Sequence, residues 1–153
     1  MRSYPHIVKG IDPVADAFTG TVTTDVVSMR DHALALFIVG KGVGTTGTST
    51  ITILACDDFT PSTTSAIPFY YQAVTSGDTH GAHTYCAATG FTTTVGSSQR
   101  YLIYVPEGHL AASGYGNVQL SALEVADNPV LGFVDILLLE PHYDKPIGRT
   151  EIA

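Results

Sequence analysis

The side chains best suited to chemistry lie close together in the segment DTHGAHTYC. Asp78, His80, His83 and Cys86 are all metal-ligand types, and the spacing His-x2-His-x2-Cys is compatible with a zinc site. However, His83 and Cys86 would lie on opposite faces of a short strand, because side chains alternate along a strand. No second cluster of ligands follows in the sequence. We therefore predict a polar turn that leads into a strand, and no metal site.

Carboxylates elsewhere give weaker patterns. Asp57 and Asp58 follow a strand-like segment, and together with Asp78 and Glu107 they could bind calcium. The spacing of an EF-hand is absent, and adjacent carboxylates after a strand are more typical of a solvated turn. Asp135 lies within an apolar run, where we expect a hydroxyl or a backbone N–H to satisfy it. A single carboxylate without a placed partner makes no acid/base pair.

Motifs for nucleophilic and nucleotide chemistry are missing from the sequence. It contains no G-x-S-x-G, and neither a P-loop nor a G-x-G-x-x-G follows a strand. A Ser-His-Asp site assembled by the fold would leave no such signature, so the presence of histidines neither indicates nor excludes an active site. We predict no catalytic residues, no cofactor and no enzymatic activity. The histidines are scattered along the chain, at His6, His32, His80, His83, His109 and His142.

Composition limits the class of protein and its partners. The 153 residues suit one domain with a normal core. Only 14% of residues are charged, and 7 basic against 14 acidic side chains give a net charge of -7. Such a surface repels phosphate, and no run of Lys or Arg forms a local basic patch. Nucleic acid is therefore not a predicted partner.

The sequence also bears on the compartment. The opening MRSYPHIVKGIDPVADAF lacks the continuous apolar stretch of a signal peptide. The longest apolar runs, ALALFIVG and VLGFVDILLL, are too short to span a bilayer. We expect a soluble protein made in a cytoplasm, with no membrane partner. In such a reducing compartment Cys56 and Cys86 are expected to be small half-buried thiols, although a disulfide between them is the alternative.

Strand-like segments recur from Thr19 onward, and no segment has helical periodicity over three turns. The run HALALFIV is apolar on both faces, which predicts a central buried strand. PEGHLAASGYG is predicted as a loop or one helical turn. The pattern indicates an all-β protein with a single β-sandwich or jelly-roll-like domain. The predicted strands cover residues 21–28, 32–39, 48–56, 67–75, 83–88, 99–105, 117–125 and 129–140.

Domain boundaries and core positions follow from the same patterns. Residues 1–18 contain two prolines and no periodicity, and we predict an extended N-terminal arm. The sandwich is predicted over residues 19–140, and residues 141–153 are predicted as a C-terminal arm. A switch of hydrophobic face in residues 117–125 predicts a β-bulge near Ser121–Leu123. Five residues are predicted to be largely buried, namely Phe37, Ile53, Ile103, Leu120 and Phe133.

One strand face has an unusual composition. In TTGTSTITILACDD, Thr48, Thr50 and Thr52 share one side, where a solvated strand would usually carry Lys, Glu or Arg. From Gly42 to Gln99 there is no Lys or Arg at all. Surfaces that contact other proteins typically have few charged residues and are enriched in Tyr and Phe. These threonines are therefore predicted to belong to an assembly interface.

Four stretches carry a resemblance to a known family. TGTVTTDVVSM, GTSTITILACDD, SSQRYLIYV and VLGFVDILLLEPHY resemble the small head proteins of tailed bacteriophages that decorate or cement the capsid. The resemblance covers residues 19–143 and lies in the pattern of strands. It implies an oligomeric sandwich subunit on the virion, bound to the exterior of the major capsid protein lattice, with no catalytic residues. The segment after Tyr143 lies outside the resemblance.

Two other functions fit the same sequence. A neck or tail-attached virion protein would also use a β-sandwich with arms. A carbohydrate-binding jelly roll is the alternative from a different class, because aromatic side chains can stack on sugars, although aromatic strand residues more often belong to the core. The tyrosines considered for stacking are Tyr70, Tyr71, Tyr101, Tyr104 and Tyr115.

Overall fold

Two antiparallel sheets pack face to face in the computed structural model, which describes residues 4–42, 46–96, 98–142 and 152. The prediction of an all-β sandwich is confirmed. The elements in chain order are β1 His6–Val14, β2 Thr21–Thr23, β3 Val27–Ser28, β4 His32–Lys41, β5 Thr48–Cys56, β6 Thr64–Ile67, β7 Phe69–Ser76, β8 Thr79–His80, β9 Thr84–Cys86, β10 Phe91–Thr92, β11 Gln99–Pro106, α1 Glu107–Ala111, β12 Asn117–Ala126 and β13 Gly132–Pro141.

The strand pairing is nested. The larger sheet has the order β1-β13-β4-β11-β7-β8, with β9 also paired to β7. The smaller sheet has the order β10-β5-β12-β2, with β3 on β12 and β6 on β5. Thus β4 pairs with β13, β5 with β12, and β7 with β11, so the successive strands are closed by partners in reverse order.

The core lies between the two sheets and is made by every second residue of the long strands. In the larger sheet Ile103 lies between Phe37 and Tyr71, and in the smaller sheet Leu120 lies opposite Ile53. Phe37, Ile53, Ile103 and Leu120 are fully buried, as predicted.

The prediction for Phe133 is wrong, because this residue is half-buried on the outer side of the larger sheet. Its ring lies across Gly40 of the neighbouring strand, where a Cβ atom would collide with it. The Arg100 guanidinium covers the ring at 5.3 Å from its centroid. An apolar strand that is partly covered on both sides does not reveal from sequence which side faces the core.

The predicted N-terminal arm is replaced over residues 6–14 by an edge strand, β1, which pairs with β13. Val8 enters the core opposite Ile136, and the register shifts between Lys9 and Ile11. A Cβ atom on Gly10 would lie 2.8 Å from a carbonyl oxygen of β13, so this irregularity requires glycine. Edge strands tolerate bulges and proline, and these features interrupt the alternation of apolar and polar residues by which a strand is recognised in a sequence.

Residues 21–28 form two short strands rather than one. Between β2 and β3, the Thr24 backbone N–H donates to the Leu120 carbonyl at 3.0 Å. The Thr24 hydroxyl accepts the Leu120 N–H, also at 3.0 Å. The side chain thus replaces a backbone acceptor at the interruption, and the buried amide of Leu120 remains satisfied.

The predicted bulge at Ser121–Leu123 is absent, because β12 and β5 pair without a shift from Asn117 to Glu124. The irregularity lies between Glu124 and Ala126 instead. The switch in hydrophobic pattern is therefore real, and it leaves Leu123 52% exposed on the outer side of the smaller sheet.

Smaller differences concern loops and the tail. Residues 64–67, predicted as loop and strand start, form β6, and the predicted helical turn is α1. Most of the predicted C-terminal arm, residues 143–151 and 153, lies outside the described residues. Ile152 is half-buried and packs against the hydrophobic core.

Replacement of Ile103 tests the position of the core. Ile103→Ala removes a fully buried side chain between two strands and should lower the free energy of unfolding by about 2–5 kcal/mol. Val95→Ala, at a position that is 62% exposed, should change it by less than about 0.5 kcal/mol. Urea denaturation followed by circular dichroism measures both. Equal effects of the two variants would contradict this assignment of the inner face.

Candidate functional site

The outer side of the larger sheet carries a continuous apolar row. Directly opposed residues on antiparallel strands share a face, so the pairing registers define such rows. The central members of this row are half-buried, whereas Ile7 and Tyr85 at its ends are 64% and 57% exposed. In order from β1 to β9, the row consists of Ile7, Leu137, Leu36, Tyr104, Tyr70 and Tyr85.

Neighbouring rows extend this surface, which we call the apolar face. On one side of the first row lie Ile38 and Leu102, and on the other lie Leu34 and Leu139. All four are half-buried. Apolar side chains therefore occupy outward positions on four adjacent strands, where a sheet that faces water normally alternates to polar residues.

Charge on the apolar face is sparse and balanced. Lys9 lies opposite Asp135 at the β1 edge, and its ammonium donates to the Asp12 carboxylate at 2.7 Å. That hydrogen bond and the neighbouring carboxylates raise the pKa of Lys9. Arg100 is the remaining charge, stacked over Phe133. Asp135 is thus half-buried and faces outward, rather than lying in the core with a hydroxyl partner.

The outer side of the smaller sheet is lined by hydroxyl groups, and we call it the threonine face. One row contains Thr92, Thr50, Leu123 and Thr21, and the next contains Thr52, Ser121 and Thr23. None of these seven positions is charged. The Thr50 and Thr92 hydroxyls hydrogen-bond each other across the strands at 2.9 Å.

The sequence pattern predicts only the β5 part of the threonine face. Thr48, Thr50 and Thr52 do share one side of β5 and are half-buried, while Ser49, Ile51 and Ile53 on its other side are buried. The threonines from β2 and β10 join them only through strand pairing, which no local pattern reveals.

Five rings cluster where the apolar face reaches β7 and β9, and we call them the ring cluster. Tyr70 lies between the His83 and His109 imidazoles, with centroid distances of 4.9 Å and 5.5 Å in stacked geometry. Tyr85 meets Tyr70 edge-on at 5.6 Å, and Tyr104 lies beside His83 at 5.2 Å.

Hydrogen bonds fix the ring cluster in place. The Tyr104 hydroxyl donates to the Gln72 side chain at 3.0 Å, and the Gln72 amide donates to the Gly81 carbonyl at 3.2 Å. His109 Nδ1 lies 2.9 Å from the Pro68 carbonyl oxygen, which can only accept, so Nδ1 carries a proton.

The other tyrosines considered for stacking lie elsewhere. Tyr71 stacks on Phe91 at 4.0 Å against the core. Tyr101 is buried, and its hydroxyl donates to the Gln99 side chain at 2.9 Å. Tyr115 also packs against the core. Of the five, only Tyr70 and Tyr104 are on an outer surface.

The segment DTHGAHTYC does not converge on a site. Asp78, His80 and His83 are exposed, whereas Cys86 is buried and belongs to the core cluster. Among the described residues, no group of three or more His, Cys, Asp or Glu side chains is placed to hold a metal ion.

Asp57 and the two cysteines interact only with nearby groups or are buried. The Asp57 carboxylate accepts from the Ser62 hydroxyl at 2.8 Å and from the Ser62 N–H at 3.1 Å, and these bonds lower its pKa. Cys56 and Cys86 are buried free thiols. Burial, with a smaller contribution from Asp57, raises the pKa of Cys56 to about 11, and burial also raises that of Cys86.

No protein-family model, curated protein or solved structure matches this chain. Within the described part of the chain, no helix is long and apolar enough to cross a membrane.

The sequence pattern does not reveal the role of Lys41, which is the first residue of the glycine-rich stretch KGVGTTG. Its side chain is only 2% exposed, and its ammonium donates to the carbonyls of Gly47 at 2.9 Å and Thr94 at 2.8 Å. Burial lowers the pKa of Lys41. The ammonium therefore ties together the segments before β5 and after β10. A short periodic pattern ending in Lys gave no sign of this, because Lys is normally exposed.

Replacement of Lys41 tests its role in tying these two segments. Lys41→Met leaves the buried Gly47 carbonyl and the partly buried Thr94 carbonyl without this donor, and should lower the free energy of unfolding by about 1–3 kcal/mol. Because the folded pKa is lowered, the unfolded chain binds the proton more tightly. The wild-type advantage should therefore grow as the pH rises toward 10.5. Denaturant unfolding at pH 7 and pH 9.5 measures this difference.

Lys9→Met is the matched control for this experiment. The folded pKa of Lys9 is raised, so any contribution of its ion pair is fully present at both pH 7 and pH 9.5 and declines only above pH 10.5. A Lys41 effect that is constant with pH, or that follows the Lys9 trend, would contradict the buried ammonium.

Proposed function

We propose that this chain is a structural protein of a tailed-bacteriophage virion, namely a capsid decoration or cement protein. Its partners are the major capsid protein and copies of itself. It is assembled in the host cytoplasm and binds the capsid exterior, where it bridges neighbouring capsid subunits. One observation carries this proposal: both outer sides of the sandwich present regular rows of side chains with little or no charge.

The geometry of the sandwich supports a bridging role. The two sheets of a sandwich are about 10 Å apart, so the apolar face and the threonine face lie back to back on a thin subunit. Each face can be covered by a different neighbour at the same time. A protein with one binding partner needs only one such face.

The chemistry of the threonine face suits attachment to a preformed lattice. Its hydroxyl groups keep the free subunit wettable, yet no ion must be stripped of water when a partner covers them. Side chains held by strand pairing and by the Thr50–Thr92 hydrogen bond lose little further freedom on binding. Each contact is modest, and many copies on one lattice make the shell hard to open.

Net charge supports the location outside the packaged genome. The chain carries 14 acidic and 7 basic residues, so it repels nucleic acid in general. An acidic protein on the capsid exterior does not bind the DNA that is packaged inside.

Lysine substitutions on the threonine face test attachment to the capsid. Thr50→Lys and Thr52→Lys should leave the free subunit folded, as judged by circular dichroism, because both side chains point away from the core. An attached face would have to bury an unpaired ammonium, so occupancy on shells should fall at least about tenfold. Thr60→Lys, in an exposed loop, is the matched control.

Co-sedimentation with empty heads and with isolated tails of the encoding phage provides the readout. Binding to heads that is lost in Thr50→Lys and kept in Thr60→Lys is the expected result. Binding to tails alone would favour the neck or tail-attached function instead. Full head occupancy by all three variants would remove the threonine face from the interface.

The ring cluster favours a second candidate function, which is binding of a neutral glycan. Tyr85 and His83 present exposed rings beside the hydrogen-bonding groups of Gln72 and His109. Aromatic faces with a few fixed polar groups are a common arrangement for binding sugars. The two faces of Tyr70 are already covered by imidazoles, so Tyr85 would supply the platform.

A glycan array followed by NMR titration of the best binder tests this second function. Tyr85→Ala should abolish any binding, because it removes the exposed ring. Tyr4→Ala should not abolish binding, since Tyr4 is also largely exposed but precedes β1 at the opposite edge of the sheet. Retention of binding in Tyr85→Ala would rule out the ring cluster.

A further inference from the structure

We propose that the apolar face is the contact between two copies of this chain, packed face to face. The inference deepens the proposed function, on which it rests for its setting, by assigning copy–copy contact to one sheet and leaving the threonine face for the capsid. The observation behind it is the row from Ile7 to Tyr85, which crosses six strands without a charged residue.

The extent of the face sets the strength of the contact. Six strands at about 4.8 Å spacing and three rows at about 6.8 Å span roughly 330 Å² in projection. That matches the largest apolar patches on monomers, about 300–600 Å², which are often functional. It is less than half of the ~800 Å² that each partner buries in an interface of standard size. The expected dimer is therefore weak, with a dissociation constant in the micromolar range.

Charge explains why a second copy fits this face. Two chains of net charge -7 repel each other wherever their acidic surfaces meet. On the apolar face the cations Lys9 and Arg100 are balanced by Asp12 and Asp135. Lys9 and Asp135 pair at the β1 edge, and Arg100 lies one row beyond Leu102. Two copies can thus approach through this face without net repulsion.

Chemistry separates the two faces further. The threonine face is wettable in the free subunit, whereas the apolar face gains by being covered as soon as the protein has folded. A second copy of the same chain is the partner that is always present at that moment. Two sheet faces with interdigitating apolar rows pack as the inner sides of this sandwich already do.

Sedimentation velocity on the purified chain, over a concentration series from 1 to 500 μM, tests the proposal. The wild-type protein should pass from monomer to dimer within this range. Ile7→Lys should raise the dissociation constant at least tenfold, because it places an ammonium in the covered row. Ile7 is 64% exposed on an edge strand, so this variant should fold normally.

Val125→Lys is the matched control. It introduces the same side chain at a position that is 60% exposed, but on β12 of the other sheet, and the dimer should persist. A second variant on the apolar face, Leu36→Lys, should act like Ile7→Lys provided that circular dichroism shows a folded protein.

The outcomes separate this inference from the proposed function. A wild-type chain that stays monomeric at 500 μM, or equal weakening by Val125→Lys and Ile7→Lys, overturns the copy–copy contact. Neither result bears on capsid occupancy, which is measured with shells and with the Thr50→Lys variant. Conversely, a dimer that forms normally while no variant binds shells would sustain the contact and refute the capsid role.

Discussion

The mutual burial of the inner rows of the two sheets is the interaction on which the rest of the structure depends. Ile103, Phe37 and Ile136 from one sheet and Ile53 and Leu120 from the other are removed completely from water. Because side chains alternate along a strand, this commits every second position to the core and leaves the others facing outward. Both candidate interaction faces are what remains after the core has been built.

The sequence predicted the fold class and most of the long strands, because HALALFIV, QRYLIYV and TSTITILAC carry clear β patterns. The prediction failed where the structure of a segment depends on its pairing with a distant strand or on a backbone irregularity. Residues 6–14 lack the alternation of a strand because of a bulge at Gly10 and because of Pro13, so their pattern predicts an arm. Pairing with β13 nevertheless makes them a strand.

The candidate site was predictable only in part, and for a physical reason. Thr50 and Thr52 mark one strand of the threonine face, but Thr21 and Thr92 reach it through partners distant in the sequence. On the larger sheet, HALALFIV was predicted to be buried on both faces because both are apolar. An apolar face awaiting a partner and one buried within the domain have the same sequence pattern. The capsid role, the location and the partners are proposals that combine these faces with the composition of the chain.

The pairing of β1 with β13 has a consequence for the timing of folding. About 120 residues separate the two strands, so at roughly 5–20 residues per second a ribosome needs about 6–24 s to supply the partner of β1. During that interval the residues of β1 have no ladder to join, and β4 lacks one of its two neighbours. The larger sheet is therefore completed only after β13 has been synthesised, and the apolar face is assembled as one of the last events. This order delays the appearance of a large apolar surface until the subunit that carries it is nearly finished.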